Sequence, residues 1–167
     1  QQKINKIIKN KYEFYGYQEF ANKIEKLKTK IMSMYTDQNV AFKKFTNKIQ
    51  ELYSNNFFII DEAHNIKDSD KLKVLPPLLD LIFRYTINNK LLLLTATPMF
   101  DNAREIIWLL NLMLRNDNKP ILKVNTFFNS NGDFILENKD LFLKKIRGYI
   151  SYVRGENPYR FPERLYP

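Results

Sequence analysis

Asp61 and Glu62 stand side by side at the end of an unbroken apolar run, Phe57-Phe58-Ile59-Ile60, and His64 follows after Ala63. Such a run reads as a strand buried on both faces, as in a parallel sheet. A strand that delivers an aspartate to its carboxyl end can hold Mg2+, directly or through water, beside the phosphates of a nucleotide. A neighbouring carboxylate can orient and deprotonate an attacking water. These roles fall on Asp61 for the metal and on Glu62 for the water, with Glu62 also near the metal and His64 near the phosphates. The plain alternative is a solvated strand end, with both carboxylates facing water and His64 packing. A second run, Leu91-Leu92-Leu93-Leu94, ends in Thr95-Ala96-Thr97-Pro98. Its hydroxyls can hydrogen-bond an adjacent loop, here Asp61–His64; the alternative is a strand-to-helix turn with threonine caps. A carboxylate-dependent nuclease site needs further ligands at matched spacing, and the sequence offers no second cluster of them.

The elements that must position these residues follow from periodicity. Tyr12–Tyr17 reads as a short strand ending at Gly16. Gln18–Met34 is helical, with Phe20, Ile24, Leu27 and Ile31 on one face, and Val40–Tyr53 repeats the pattern with Phe42, Phe45, Ile49 and Leu52. After the first apolar strand, Asp68–Lys73 is a polar loop or helix start. Leu75–Tyr85 is a helix with Pro76 and Pro77 in its first turn, where proline is tolerated. The second strand follows, and Asp101 or Asn102 caps a helix running to about Leu114. Strand, helix, strand, helix makes an α/β pattern with a parallel sheet, whose functional loops lie at the carboxyl ends of the strands. Beyond it, Asn129–Gly132 reads as a turn between two aromatic stretches, Asn138–Ile146 as a short helix, and Ser151–Pro167 as extended.

Composition sets the bounds. The 167 residues suit one domain or a piece of a larger one, and a hydrophobic fraction of 44% allows a real core. There is no cysteine, which excludes disulfides and thiolate metal sites and fits a reducing compartment. No apolar run reaches the roughly 20 residues that span a bilayer. The start, Gln1-Gln2-Lys3-Ile4, has neither an initiator methionine nor a signal-peptide pattern and reads as an internal cut. The net charge is +9, distributed unevenly: residues 1–55 hold eleven Lys/Arg against five Asp/Glu, 57–120 eight against eight, and 121–167 eight against five. Basic flanks around a neutral centre suggest a polyanionic partner such as nucleic acid; a lysine-rich solvated surface is the alternative.

The order of the two polar motifs, one strand-helix unit apart, resembles helicase superfamily 2. Asp61-Glu62-Ala63-His64 looks like motif II, the DEAH box, and Thr95-Ala96-Thr97 looks like motif III. Residues 91–114, 150–167 and 12–21 resemble the Swi/Snf-related helicases of large nucleocytoplasmic DNA viruses, a group similar to the poxvirus early transcription factor small subunit and nucleoside triphosphatase I. The resemblance implies a partial RecA-like P-loop NTPase lobe, with a parallel sheet flanked by helices and an extended C-terminal segment. It implies ATP and Mg2+ as cofactors. Asp61, Glu62 and His64 would be catalytic, with Asp61 meeting Mg2+ through water and Glu62 beside it, and Thr95, Ala96 and Thr97 would couple nucleotide state to nucleic acid. Residues 1–120 would be the C-terminal part of the first lobe, and 121–167 the linker and start of the second.

The implied partners are nucleic acid, DNA before RNA, the rest of the helicase and the viral transcription machinery, with no membrane. The implied setting is intracellular and soluble, in a virion or viral factory. No Gly-x-x-x-x-Gly-Lys-Ser/Thr loop occurs in the sequence, so the chain is expected to begin after motif I and to hydrolyse ATP poorly alone. The alternative is a non-catalytic basic nucleic-acid-binding or scaffold module without a P-loop. Outside the motifs, Trp108 is expected in the core and Arg104 in solvent. Tyr17 and Arg154 are candidate nucleic-acid or phosphate contacts. Tyr12, Tyr15 and Tyr17 read as strand core or as a stacking surface, and Lys23, Lys26, Lys28 and Lys30 as a solvated helix face.

Overall fold

The computed structural model describes residue 8 and residues 11–68, 74–99 and 102–152. Residues 8 and 11 are helical; the elements with described bounds begin with α1 (Tyr17–Met32) and α2 (Gln38–Tyr53), followed by β1 (Phe57–Ile60). Then come the one-turn α3 (Asn65–Asp68), α4 (Leu75–Tyr85) and β2 (Lys90–Leu93). A 3-10 turn at Ala103–Glu105 runs into α5 (Ile106–Asn116), and α6 (Val124–Phe127), a 3-10 turn at Leu136–Asn138 and α7 (Lys139–Ile146) complete the order. The alternation of strand and helix predicted for the middle of the chain is therefore present.

Local chemistry sets the boundaries. Asp37 caps α2 by accepting the Asn39 and Val40 amides at 2.8 and 3.3 Å, which supplies partners to N–H groups that a helix start leaves open. Pro76 and Pro77 occupy the first turn of α4, where no intrahelical N–H is lost. Asn102 accepts the Arg104 amide at 2.8 Å and so caps the 3-10 turn ahead of α5; Asp101, the other expected cap, lies outside the described residues.

β1 and β2 pair in parallel, Phe57 opposite Lys90 and Ile60 opposite Leu93. Asparagines lock their amino-terminal ends. Asn55 and Asn88 take left-handed backbone at φ 60 and 57, a conformation that asparagine tolerates better than most residues. The buried Asn89 accepts the Asn56 amide at 2.9 Å.

Helices α1, α2, α4 and α5 pack over one face of this pair. Ile24, Phe45, Ile49, Ile60, Leu79, Ile82, Phe83 and Leu112 are buried in one cluster, against which Phe58, Leu91, Leu93 and Trp108 pack. Trp108 thus has the core position expected of it. A second cluster joins Ile107, Leu110 and Leu114 of α5 to Leu122, Phe127 and Phe128, with Phe134 and Phe142 against it. Asn111 closes the return to α5 by accepting the Leu122 amide at 2.7 Å and donating to its carbonyl at 2.9 Å.

Several expectations are corrected. Residues 12–16 form no strand; Gly16 caps α1 and Tyr17 already lies in its first turn. The aromatic alternation there serves no buried face, and Tyr12 is exposed rather than core. The buried face of α2 is Ala41, Phe45, Ile49 and Tyr53, whereas Phe42 and Leu52 are exposed. Phe45 and Ile49 are buried as expected, while the ends of the stripe fall one position away, on Ala41 and Tyr53 in place of Phe42 and Leu52. The strands are not buried on both faces. Phe57 and Ile59 are 63% and 55% exposed, and Leu92 and Leu94 41% and 42%; among the described residues, helices cover only the opposite face. The Asn129–Gly132 turn does form, closed by an isolated antiparallel bridge between Phe128 and Phe134. Residues 153–167, expected to be extended, lie outside the described residues, as do 69–73.

Candidate functional site

Asp61–His64 leaves the carboxyl end of β1 as a tight turn leading into α3. The apolar strand explains why the turn sits there: Ile60 is anchored in the core while Asp61 and Glu62 emerge into solvent. Ala63 is fully buried beneath the turn, so a small residue is required at that position. Its amide donates to the Leu94 carbonyl at 2.9 Å, and the Leu94 amide donates to the Ile60 carbonyl at 2.9 Å. The strand ladder therefore continues past β1 and fixes the height at which the two carboxylates leave the sheet.

Glu62 carries an unusual backbone. Among the described residues, the non-glycine positions with positive φ are Asn55, Asn88, Asn118 and Glu62, the last at φ 52. Left-handed backbone costs an ordinary L-residue about 1–2 kcal/mol, and glutamate has no side-chain device comparable to asparagine's. The turn is held in this state by several ties. Asp61 Oδ1 accepts the Glu62 amide at 3.0 Å. The Asn65 amide donates to the Glu62 carbonyl at 2.9 Å. From α1, the Tyr17 hydroxyl donates to the Asp61 carbonyl.

His64 links the turn to the end of β2. Its Nδ1 lies 2.9 Å from Thr95 Oγ1, with the tautomer deciding which group donates. Thr95 Oγ1 also accepts the Thr97 amide at 3.2 Å. The Glu62 carboxylate lies 3.4 Å from the same imidazole nitrogen, an ion pair only when the ring is protonated. So Glu62, His64, Thr95 and the Thr97 backbone form one connected group across two strand ends, as the spacing suggested. Ala96 and the Thr97 side chain are exposed beside it.

The Glu62 carboxylate is 58% exposed and His64 22%. Glu62 thus opens to solvent, while His64 beside it is partly covered. Asp61 keeps one carboxylate oxygen outside its bond to the Glu62 amide. Among the described residues, no three His, Asp or Glu side chains converge as a complete metal site. The Asp61 oxygen outside that bond is of the kind that would serve an ion drawing its other ligands from phosphate and water, as Mg2+ commonly does.

Of the remaining candidates, Tyr17 is brought into the site and Arg154 lies outside the described residues. Burial, reinforced by the Asp61 and Glu62 charges, raises the Tyr17 phenol above its ordinary value. Lys23, Lys26 and Lys30 are exposed as expected and Lys28 is partly covered; Lys23 also pairs with Glu13 at 3.4 Å and lies over the Tyr15 ring. Arg104 is not a solvent arginine. Its Nη2 donates to the Asn129 and Ser130 carbonyls at 2.8 Å each, while its Nε is buried without a partner. Nothing in the local sequence signals that contact, because its acceptors are backbone carbonyls in a turn 25 and 26 residues away.

Comparison with known proteins gives this geometry its setting. A family model described as SNF2-related domain matches residues 6–151. The chain is 36% identical to the provisionally named ATP-dependent RNA helicase R563 of Acanthamoeba polyphaga mimivirus, over 74% of this chain and 23% of that protein. It is 30% identical to a second such mimivirus protein, L377, over 95% of the chain and 15% of the relative. It is 33% identical to the provisionally named helicase 087L of Invertebrate iridescent virus 3, over 92% of the chain and 13% of the relative. The chain thus spans a quarter or less of the length of these relatives. No solved structure matches it significantly. With the family model covering most of its length and an α/β core that sets the two motifs at adjacent strand ends, the chain belongs to the SNF2-related domain family of superfamily 2 helicases and forms part of a RecA-like lobe.

Proposed function

We propose that this chain is the carboxyl-terminal part of the first motor lobe of an ATPase that couples ATP hydrolysis to movement on DNA, in viral transcription or genome handling. The observation that carries the reading is Glu62, an exposed carboxylate on a left-handed residue at a strand end, tied through His64 to Thr95. Strained backbone at a well-braced position marks a site where side-chain aim matters more than local stability. In this reading Asp61 holds Mg2+ through water, with Glu62 beside it, and the ion neutralises charge on the phosphates. Glu62 orients the attacking water and takes its proton. His64, Thr95, Ala96 and Thr97 pass the resulting change in charge to the segment after β2, and Arg154 approaches phosphate. Residues 121–167 are the linker and start of the second lobe. The sequence holds no Gly-Lys-Ser/Thr phosphate loop, so this chain alone is expected to bind ATP weakly.

The test is Glu62→Gln in the full-length protein. ATP turnover should fall by about a hundredfold or more while ATP binding is retained. Turnover persisting near the parent level would remove Glu62 from the chemistry. Stimulation of turnover by duplex DNA and by single-stranded RNA, compared at one salt concentration, assigns the nucleic acid; DNA is expected to stimulate more. The absent phosphate loop, together with the basic residues of 1–55, favours a second reading, a non-catalytic nucleic-acid-binding module. Failure of MgATP to protect the full-length protein against heat would favour that reading.

A further inference from the structure

Tyr17 and Asp61 are 44 residues apart in sequence, yet the Tyr17 hydroxyl donates to the Asp61 carbonyl. That carbonyl belongs to the peptide whose nitrogen is Glu62's, and it lies next to the left-handed φ of 52. A peptide plane fixed at its oxygen cannot rotate without breaking the bond. On the other side of Glu62, the Asn65 amide fixes the next carbonyl and the Ala63 amide is held by Leu94. Thr95 reaches the turn through the His64 side chain, whereas Tyr17 holds the upstream peptide itself.

The tyrosine is itself firmly placed. Gly16 caps α1 in extended backbone, and its amide donates to the Glu19 carboxylate at 3.4 Å. One turn further on, Ala21 and Ile24 are buried in the same cluster as Ala63 and Ile66 of the site turn, and the Tyr17 ring packs against that cluster. The hydroxyl is half-covered and close to two carboxylates, so leaving the phenol neutral and donating is favoured by its surroundings; its acidity is lowered accordingly. A group in this position is engaged with the protein's own backbone.

We propose that Tyr17 is a positioning residue for Glu62, clamping the Asp61–Glu62 peptide from α1 so that the Glu62 carboxylate is held in its water-activating aim. This rests on the role proposed for Glu62. The full consequence is that the helix after Gly16 and the carboxylate turn move as one unit, and a shift of α1 would turn Glu62 away from its target.

Tyr17→Phe in the full-length protein removes the hydroxyl and keeps the ring. The expected result is a kcat for ATP lowered about tenfold, with KM for ATP and nucleic-acid affinity within about twofold. Amide hydrogen exchange at Ala63 and Asn65 should also speed up, since their hydrogen bonds report on the turn directly. An unchanged kcat with unchanged exchange overturns the proposal. Loss of nucleic-acid affinity with unchanged exchange overturns it too, and makes Tyr17 a nucleic-acid contact. Glu62→Gln run in parallel separates the two readings. If that variant keeps full turnover, the role of Glu62 falls, while the exchange rates still decide whether Tyr17 clamps the turn.

Discussion

At the scale of single residues, Thr95 has more demands on it than its size suggests. Its one oxygen meets His64 and the Thr97 amide at 2.9 and 3.2 Å. Thr95→Val keeps the shape and removes both partners' bond. The expected cost in folding stability is about 1–2 kcal/mol, the net worth of two such bonds at a partly exposed position. The functional cost should be larger and of a distinct kind: basal ATP turnover of the full-length protein roughly kept, stimulation by DNA reduced several-fold. A titration of turnover against DNA checks this, and equal loss of basal and stimulated rates would place Thr95 in the chemistry instead. Tyr17 and Tyr53 give a pH prediction. Burial raises both phenols above their ordinary value of 10.0, helped for Tyr17 by Asp61 and Glu62. The folded chain therefore holds these protons more tightly than the unfolded chain. The associated stability is complete below the unfolded value and is lost as pH rises through the folded one. Thermal unfolding followed from about pH 8 to about pH 11 should show a falling midpoint on the alkaline limb, and Tyr17→Phe should make that decline shallower. The placement of Asp61–His64 and Thr95–Thr97 at neighbouring strand ends was legible from the apolar runs that precede them. The backbone state of Glu62 and the reach of Tyr17 were not, because they depend on a helix that the turn meets only after folding.

At the scale of elements, Arg104 shows how the segment after β2 is tied to the last third of the chain. It lies in the 3-10 turn ahead of α5 and binds two carbonyls of the Asn129–Gly132 turn. Hydrogen bonds from a charged donor are worth about 1.5–3 kcal/mol each in favourable settings, and partial exposure reduces that here. Arg104→Ala is expected to destabilise the chain by about 1–2 kcal/mol, read by chemical denaturation. Gly132 makes the same contact sensitive from the other side. It has φ 97, and a Cβ there would lie 3.2 Å from the Arg104 guanidinium. Gly132→Ala should cost about 1 kcal/mol or more for the backbone alone. The long helices were legible because their apolar residues repeat at helical spacing and their ends carry caps, as Asp37 and Pro76 illustrate. Tyr12–Tyr17 was misread because alternating aromatics imitate a strand, and a strand also needs a neighbour to pair with. That segment pairs with neither edge of the described two-stranded sheet and becomes the approach to α1.

At the scale of the whole molecule, the sheet is the unusual feature. Helices cover one face, while Phe57, Ile59, Leu92 and Leu94 lie open on the other. Leucines and isoleucines scattered singly on a surface mean little, but neighbours on one sheet face form a patch, and a parallel sheet is ordinarily covered on both sides. The register makes them neighbours: Ile59 sits opposite Leu92, and Phe57 opposite Lys90. Among the described residues both edges of this two-stranded sheet are unpaired, and such edges offer backbone groups to other chains. The chain spans 13 to 23% of the length of its viral relatives, so nothing in it need have been selected to stand uncovered. Expressed by itself, the chain should self-associate with rising concentration and bind an apolar dye. Ile59→Lys with Leu92→Lys should suppress both, because these side chains face away from the packed core and a pair of lysines repels a second copy of the same face. Sedimentation velocity over a concentration series reads the association, and far-ultraviolet circular dichroism confirms that the fold is kept. Association undiminished in the double variant would assign it to the strand edges rather than to the face. In that outcome a proline at Leu91, where the edge would present its amide, becomes the informative change, since proline removes the donor that a pairing strand requires.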